Sequence, residues 1–116
     1  MTISLLTEQL ITQCEAALTR FFDLREQERD ADFYTEVKPY ADEWHPKIAQ
    51  WAEETKTWLQ SHPQKYLHAI QIDNTKDQLE QLTVQSFFRK TSKKRFTDTV
   101  FAARYTLQTL QRLIKE

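Results

Sequence analysis

Any chemistry this chain performs must start from a short basic run, three histidines and one cysteine. Arg89-Lys90-Thr91-Ser92-Lys93-Lys94-Arg95 places five cations in seven residues. At a helix start, backbone N–H groups joined by such side chains have the chemistry to hold a phosphate or sulfate. Arg89, Lys90, Lys93, Lys94 and Arg95 are therefore the candidate anion-binding residues. The plainer alternative is a solvated loop that offsets acids elsewhere. Charge is strongly polarised along the chain. Residues 89–116 hold eight basic and two acidic residues, and residues 1–88 hold eight basic and fifteen acidic. A pI near 6.3 speaks against nucleic acid as the partner, since nucleic-acid-binding domains usually carry a wide basic face.

Asp42 and His45 stand three apart, the spacing used by the Glu-x-x-His pairs of di-iron bundles. Such centres need a second pair and further carboxylates, and His62 and His68 have no acid at that spacing. His45, His62 and His68 match no zinc-ligand spacing, so a zinc site formed by their meeting in space is the lesser alternative. No metal or other cofactor is expected. Cys14 falls on the inner stripe of its helix, which makes it a small core residue and not a thiolate nucleophile. Glycine is absent, against about 7% in ordinary proteins. That removes the P-loop, the dinucleotide-binding turn, the EF-hand loop and the Gly-x-Ser-x-Gly elbow. No catalytic residues are identified, and the expectation is a protein that is not an enzyme.

Helices must position these groups. Without glycine the tight primed hairpins are disfavoured, and good helix formers dominate the composition. Ile3, Leu10, Ala17 and Leu24 recur every seven residues, with Thr7, Cys14 and Phe21 between them. Thr2 or Ser4 can cap this first helix. A second stripe runs Phe33, Val37, Tyr40, Trp44, Ile48, Trp51, Thr55, Trp58. Its row of Trp44, Trp51 and Trp58 reads as a core seam, with a partner groove as the alternative. Thr35 or Glu36 can start that helix with Pro39 in its first turn. The stripe keeps its phase across Pro46, which predicts one kinked helix and not two.

Ser61-His62-Pro63 ends the second helix, and residues 62–73 read as an irregular crossing pinned by Tyr66, Ile70 and Ile72. Asn74 and Asp77 resemble a helix start, with Leu79, Leu82 and Phe87 buried. Thr91 or Ser92 can cap a fourth helix whose stripe is Phe96, Val100, Ala103, Leu107, Leu110 and Ile114. The spacing predicts helices over 4–28, 35–60, 74–89 and 92–114. Four amphipathic helices on short connections give an all-α, up-and-down four-helix bundle, a single domain over 1–116.

Particular segments carry a family likeness. Val37-Lys38-Pro39-Tyr40-Ala41-Asp42-Glu43, Lys65-Tyr66-Leu67-His68 with Gln71-Ile72, Glu80 through Phe88, and Lys93-Lys94-Arg95-Phe96 resemble the YppE-like proteins. These are small bundles of Gram-positive bacteria with no characterised role. The resemblance implies a four-helix up-and-down bundle. It implies no activity and transfers no site residue.

No run of 18 apolar residues is present, so no membrane span is expected. The N-terminus lacks the basic lead of a signal peptide. A single cysteine rules out an internal disulfide and any multi-cysteine metal site. These features point to a cytoplasmic protein that acts by contact with another protein. An anion- or nucleic-acid-binding module using residues 89–95 is the alternative.

Overall fold

The computed structural model describes the backbone of residues 2–115 and the side chains of residues 3–115. Four helices make up most of it: α1 (Thr2–Glu26), α2 (Lys38–Ser61), α3 (Ala69–Gln85) and α4 (Lys93–Lys115). One wide π-helical turn, Phe33–Val37, leads into α2. No strand occurs among the described residues.

Cross-helix contacts fix the directions. Thr7 meets Trp51 while Arg20 meets Tyr40, so α2 runs against α1. Phe21 stacks on Phe96 with ring centroids 4.1 Å apart, and Glu15 pairs with Arg104. Hence α4 also runs against α1. Lys56 bonds Asp73 while Tyr40 packs on Phe87, which sets α3 against α2. The order is up and down, as expected, and α1 also touches α3 across the core.

The seven-residue series fill that core. Cys14, Ala17, Trp51, Ile72, Phe96, Val100, Ala103, Leu107 and Leu110 are all buried. Trp51 is inaccessible, whereas Lys47 and Glu54 on the same helix remain partly exposed. An indole N–H buried without a partner is costly. Trp51 Nε1 donates to Thr7 Oγ1 at 3.0 Å, and that hydroxyl donates to Ile3 O at 2.7 Å. α2 continues through Pro46 as one helix, and Pro39 sits in its first turn.

Several boundaries differ from expectation. α3 starts at Ala69 and not at 74. His68 has extended backbone, and its N–H donates to Gln71 Oε1 at 2.6 Å, so the helix is capped earlier than Asn74 suggests. Asn74 and Asp77 then lie on the exposed face. With the helix begun, Ile70 and Ile72 point to nearly opposite sides. Ile72 is buried, while Ile70 and Tyr66 are exposed, and Leu67 pins the crossing instead. Asp32, not Thr35 or Glu36, caps the entry to α2, accepting from the Thr35 N–H and hydroxyl. That earlier cap leaves Phe33 half exposed and outside the buried stripe. Ser4 lies inside α1, and the side chain of Thr2 lies outside the described residues.

α1 ends at Glu26 and not at 28. The Arg29 N–H reaches Leu24 O and the Glu28 N–H reaches Arg25 O, which closes the helix with Glu28 at φ 53°. Glycine normally takes this left-handed position. α3 ends at Gln85, so Phe87 is buried from the following turn and not from the helix.

Replacing Trp51 by Ala removes the largest inaccessible side chain and orphans part of the Thr7 network. The expected loss is ~3–5 kcal/mol from transfer energy and cavity formation. Chemical denaturation of the wild type and Trp51→Ala checks this, and equal midpoints would contradict the packing described.

Candidate functional site

The basic turn lies where α3 hands over to α4, and its shape is set by polar bonds to the end of α1. Ser86 ends α3 with its N–H on Leu82 O. Asp30 Oδ1 accepts from the Arg89 N–H at 3.0 Å and from Arg89 Nε at 3.3 Å. The Arg25 guanidinium donates to Arg89 O and Thr91 O at 2.9 and 3.1 Å. Ala31 N–H donates to Phe87 O at 3.3 Å. Ser92 caps α4, as expected, accepting from the Arg95 N–H.

All five candidate cations come together at this end of the bundle, and all are exposed. They are not equally free. Arg89 pairs with Asp30, and Lys94 pairs with Asp98 at 2.8 Å, one turn along α4. Lys93 Nζ lies 5.6 Å from the centroid of the Phe22 ring. Lys90 and Arg95 have no acid within ion-pair distance among the described residues. The first turn of α4 contains no acidic residue, so its cations face the unfavourable end of the helix dipole.

The acids opposite them are themselves engaged. Glu36 accepts both guanidinium nitrogens of Arg29, at 3.0 and 3.1 Å, and the Asp32 N–H at 2.7 Å. Those bonds, the Arg29 pair first, hold its carboxyl down to about 2. Arg89's backbone N–H likewise lowers Asp30.

Arg20 is a residue that sequence reasoning missed. Its guanidinium carbon lies 4.5 Å from the Tyr40 ring centroid and 4.3 Å from that of Phe87, and its Nε donates to Ser86 Oγ at 2.9 Å. No carboxylate pairs with it among the described residues. The two rings supply its electrostatic partner, and the cation links α1, α2 and the start of the basic turn. An arginine one residue before a core phenylalanine carries no signal of such a clamp.

The histidines do not converge. Asp42 bonds Lys38, not His45. His45 lies within α2 and His62 follows its last residue, seventeen positions on and roughly 25 Å along the axis. His62 stacks on Trp58, and His68 holds the start of α3. Among the described residues no three His, Cys, Asp or Glu side chains are grouped to hold a metal ion. Burial pushes the Cys14 thiol up to about 12, with Glu15 adding to the effect and Arg104 opposing it. Trp44 and Trp51 are buried core, and Trp58 is partly buried and packs against that core.

The fold and these internal bonds define a single all-α helical-bundle domain with a basic turn at one end. Residues 7–114 match the family described as a bacterial domain of unknown function (DUF1798), and the chain belongs to that family. It is 31% identical to an uncharacterised protein, YppE, of Bacillus subtilis over 106 residues, 91% of this chain and 86% of that one. The crystal structure of that protein superposes with a TM-score of 0.90, covering 96% of this chain and 90% of that one. A Listeria innocua protein of unknown function is 28% identical with a TM-score of 0.92, covering 99% and 92%. A Staphylococcus aureus member of the same family is 27% identical with a TM-score of 0.80, covering 95% and 93%. No helix among the described residues is long and apolar enough to cross a membrane.

The Glu36 network has a pH signature. Its pKa is lower in the folded chain than the ordinary value near 4.5. The network therefore contributes stability above that value and loses it as pH falls toward about 2. Glu36→Gln should flatten the fall in melting temperature across this window. Melts of both proteins from pH 5 down to 2 test this, and parallel curves would show that the pair carries no linkage.

Proposed function

We propose that this chain is a non-enzymatic, cytoplasmic interaction module whose partner is another protein. The observation that carries the reading is the set of large apolar side chains left in solvent on a rigid helical frame. Leu5, Phe22, Phe33, Tyr34, Tyr66, Ile70, Phe101 and Tyr105 are each at least 40% exposed. Phe33 and Tyr34 pack edge to face on the π turn. The groups with chemical potential are instead spent on structure: Cys14 is enclosed, His62 stacks on Trp58, and Arg89 braces a loop. Exposed aromatic side chains on fixed elements are the usual anchors of protein interfaces.

Affinity capture from the cytosol of the source organism, followed by mass spectrometry, tests the reading. The expected result is one protein enriched over an unrelated helical-bundle bait and retained at 0.5 M salt. Capture of nothing beyond that bait's background would sink it.

A second reading is favoured by Lys90 and Arg95, which have no acid within ion-pair distance among the described residues, beside a first turn of α4 filled with Lys93, Lys94 and Arg95. In that reading the turn binds an anion. Millimolar phosphate or sulfate then raises the melting temperature through linkage. Replacing Lys93, Lys94 and Arg95 by Gln abolishes the gain. Excluded salts stabilise proteins generally, so wild type and variant are compared at equal salt, and equal shifts would eliminate the site.

A further inference from the structure

Among the described residues, buried apolar side chains form two packed groups. The larger draws on all four helices and includes Phe21, Trp51, Ile72 and Leu107. The smaller is Leu24, Ala31, Val37 and Phe87, with Val84 and Phe88 packed against it. Tyr40 packs against both. The smaller group sits at one end of the bundle, where the connection from α1 to α2 meets the turn from α3 to α4. Each connection is pinned there by very little. Among the described residues 25–36 only Ala31 is buried, and among residues 87–95 only Phe87. These two are bonded to each other, the Ala31 N–H donating to Phe87 O at 3.3 Å.

The other ties between the connections are polar and close to water. The Asp30 and Arg89 side chains that pair across them are 43% and 41% exposed, and exposed pairs stabilise little. Arg25 reaches only the carbonyls of Arg89 and Thr91. The first connection also carries the left-handed Glu28 and the π turn Phe33–Val37, conformations a chain seldom adopts unaided. The contacts that align the helices lie elsewhere: Trp51 on Thr7, Phe21 on Phe96 and Lys56 on Asp73. A segment with few buried apolar contacts and exposed hydrogen bonds opens at lower free energy than the core it covers. We propose that residues 27–37 and 87–92 form a strap that opens as one unit while the four helices stay packed. Opening parts Asp30 from Arg89 and lifts Phe87 off the Arg20 guanidinium, which keeps Tyr40 on its other side. It uncovers Leu24, Val37 and Phe87 beside the basic turn. The closed strap hides that apolar surface, and Asp30 is its latch.

Native-state hydrogen exchange of the full chain tests the strap. Its probes are the bonded amides of Ala31, Val37, Arg89 and Thr91, read against the core amides of Trp51 and Ala103. The four strap amides should share one opening equilibrium, about a hundredfold or more above that of the core amides. Asp30→Ala takes the carboxylate from the Arg89 N–H and guanidinium and should speed all four together, about tenfold. Val100→Ala weakens the larger core, which the opened chain retains. It should speed the core amides and leave the strap amides unchanged. Subdenaturing urea draws the same distinction without a variant: the core amides should respond steeply and the strap amides shallowly, since the slope follows the surface exposed. The proposal is overturned by strap amides that exchange no faster than the core, by Asp30→Ala speeding Arg89 alone, by Val100→Ala speeding both sets equally, or by equal urea slopes.

Discussion

Enclosing the Trp51 indole is the constraint around which the bundle is arranged. Its ring is the largest side chain with no solvent access. Burial on that scale is favourable only if the one polar atom finds an acceptor. Thr7 supplies it from α1, and its own hydroxyl proton goes back to the Ile3 carbonyl. One buried hydrogen bond thereby sets the axial register of α1 against α2. The Phe21–Phe96 stack plays the matching part between α1 and α4 nearer the other end. Between these two points the small residues Cys14, Ala17, Ala52 and Ala103 are fully buried and leave room for the larger neighbours.

A chain without glycine has to end its helices by other means. Glu28 accepts a left-handed backbone at φ 53°, a conformation that costs an ordinary residue roughly 1–2 kcal/mol. Nearby polar bonds accompany that strain. Arg25, Asp30, Asp32 and Glu36 satisfy the backbone groups of two connections at once. The basic turn is therefore tied to the acidic stretch that follows α1, and opposite charges distant in sequence meet at one end of the bundle. At the other end His68 and Gln71 do the capping.

The same economy shapes the chemistry on view. Arg20 is held by two aromatic faces and a serine, Arg89 and Arg104 by carboxylates, His62 by stacking on Trp58, and His68 by its place at the start of α3. The large apolar side chains left in solvent are spread over α1, the π turn, the crossing before α3, the start of α3 and α4. The frame itself is shared: relatives of 27–31% identity from three bacterial genera superpose over nearly the whole chain.

Fold class was legible in the sequence because burial imposes a period. Heptad-spaced Ile3, Leu10, Ala17 and Leu24 can face inward together only on a helix, and the stripes of α2 and α4 follow the same rule. The absence of glycine excluded whole families of phosphate loops by backbone sterics alone. Cys14 could be read as inert because its stripe was certain to be buried. Start and stop points were less legible, because caps depend on side chains that reach back to the backbone. His68 with Gln71 does that as well as Asn74 could, and composition does not rank them. The fate of each cation was decided only by tertiary structure. Arg20 and Arg25 are five residues apart on one helix, yet one enters an aromatic clamp and the other binds the carbonyls of a distant turn. Which residue a long flexible side chain meets depends on what another helix presents at that height, and local spacing carries no record of it.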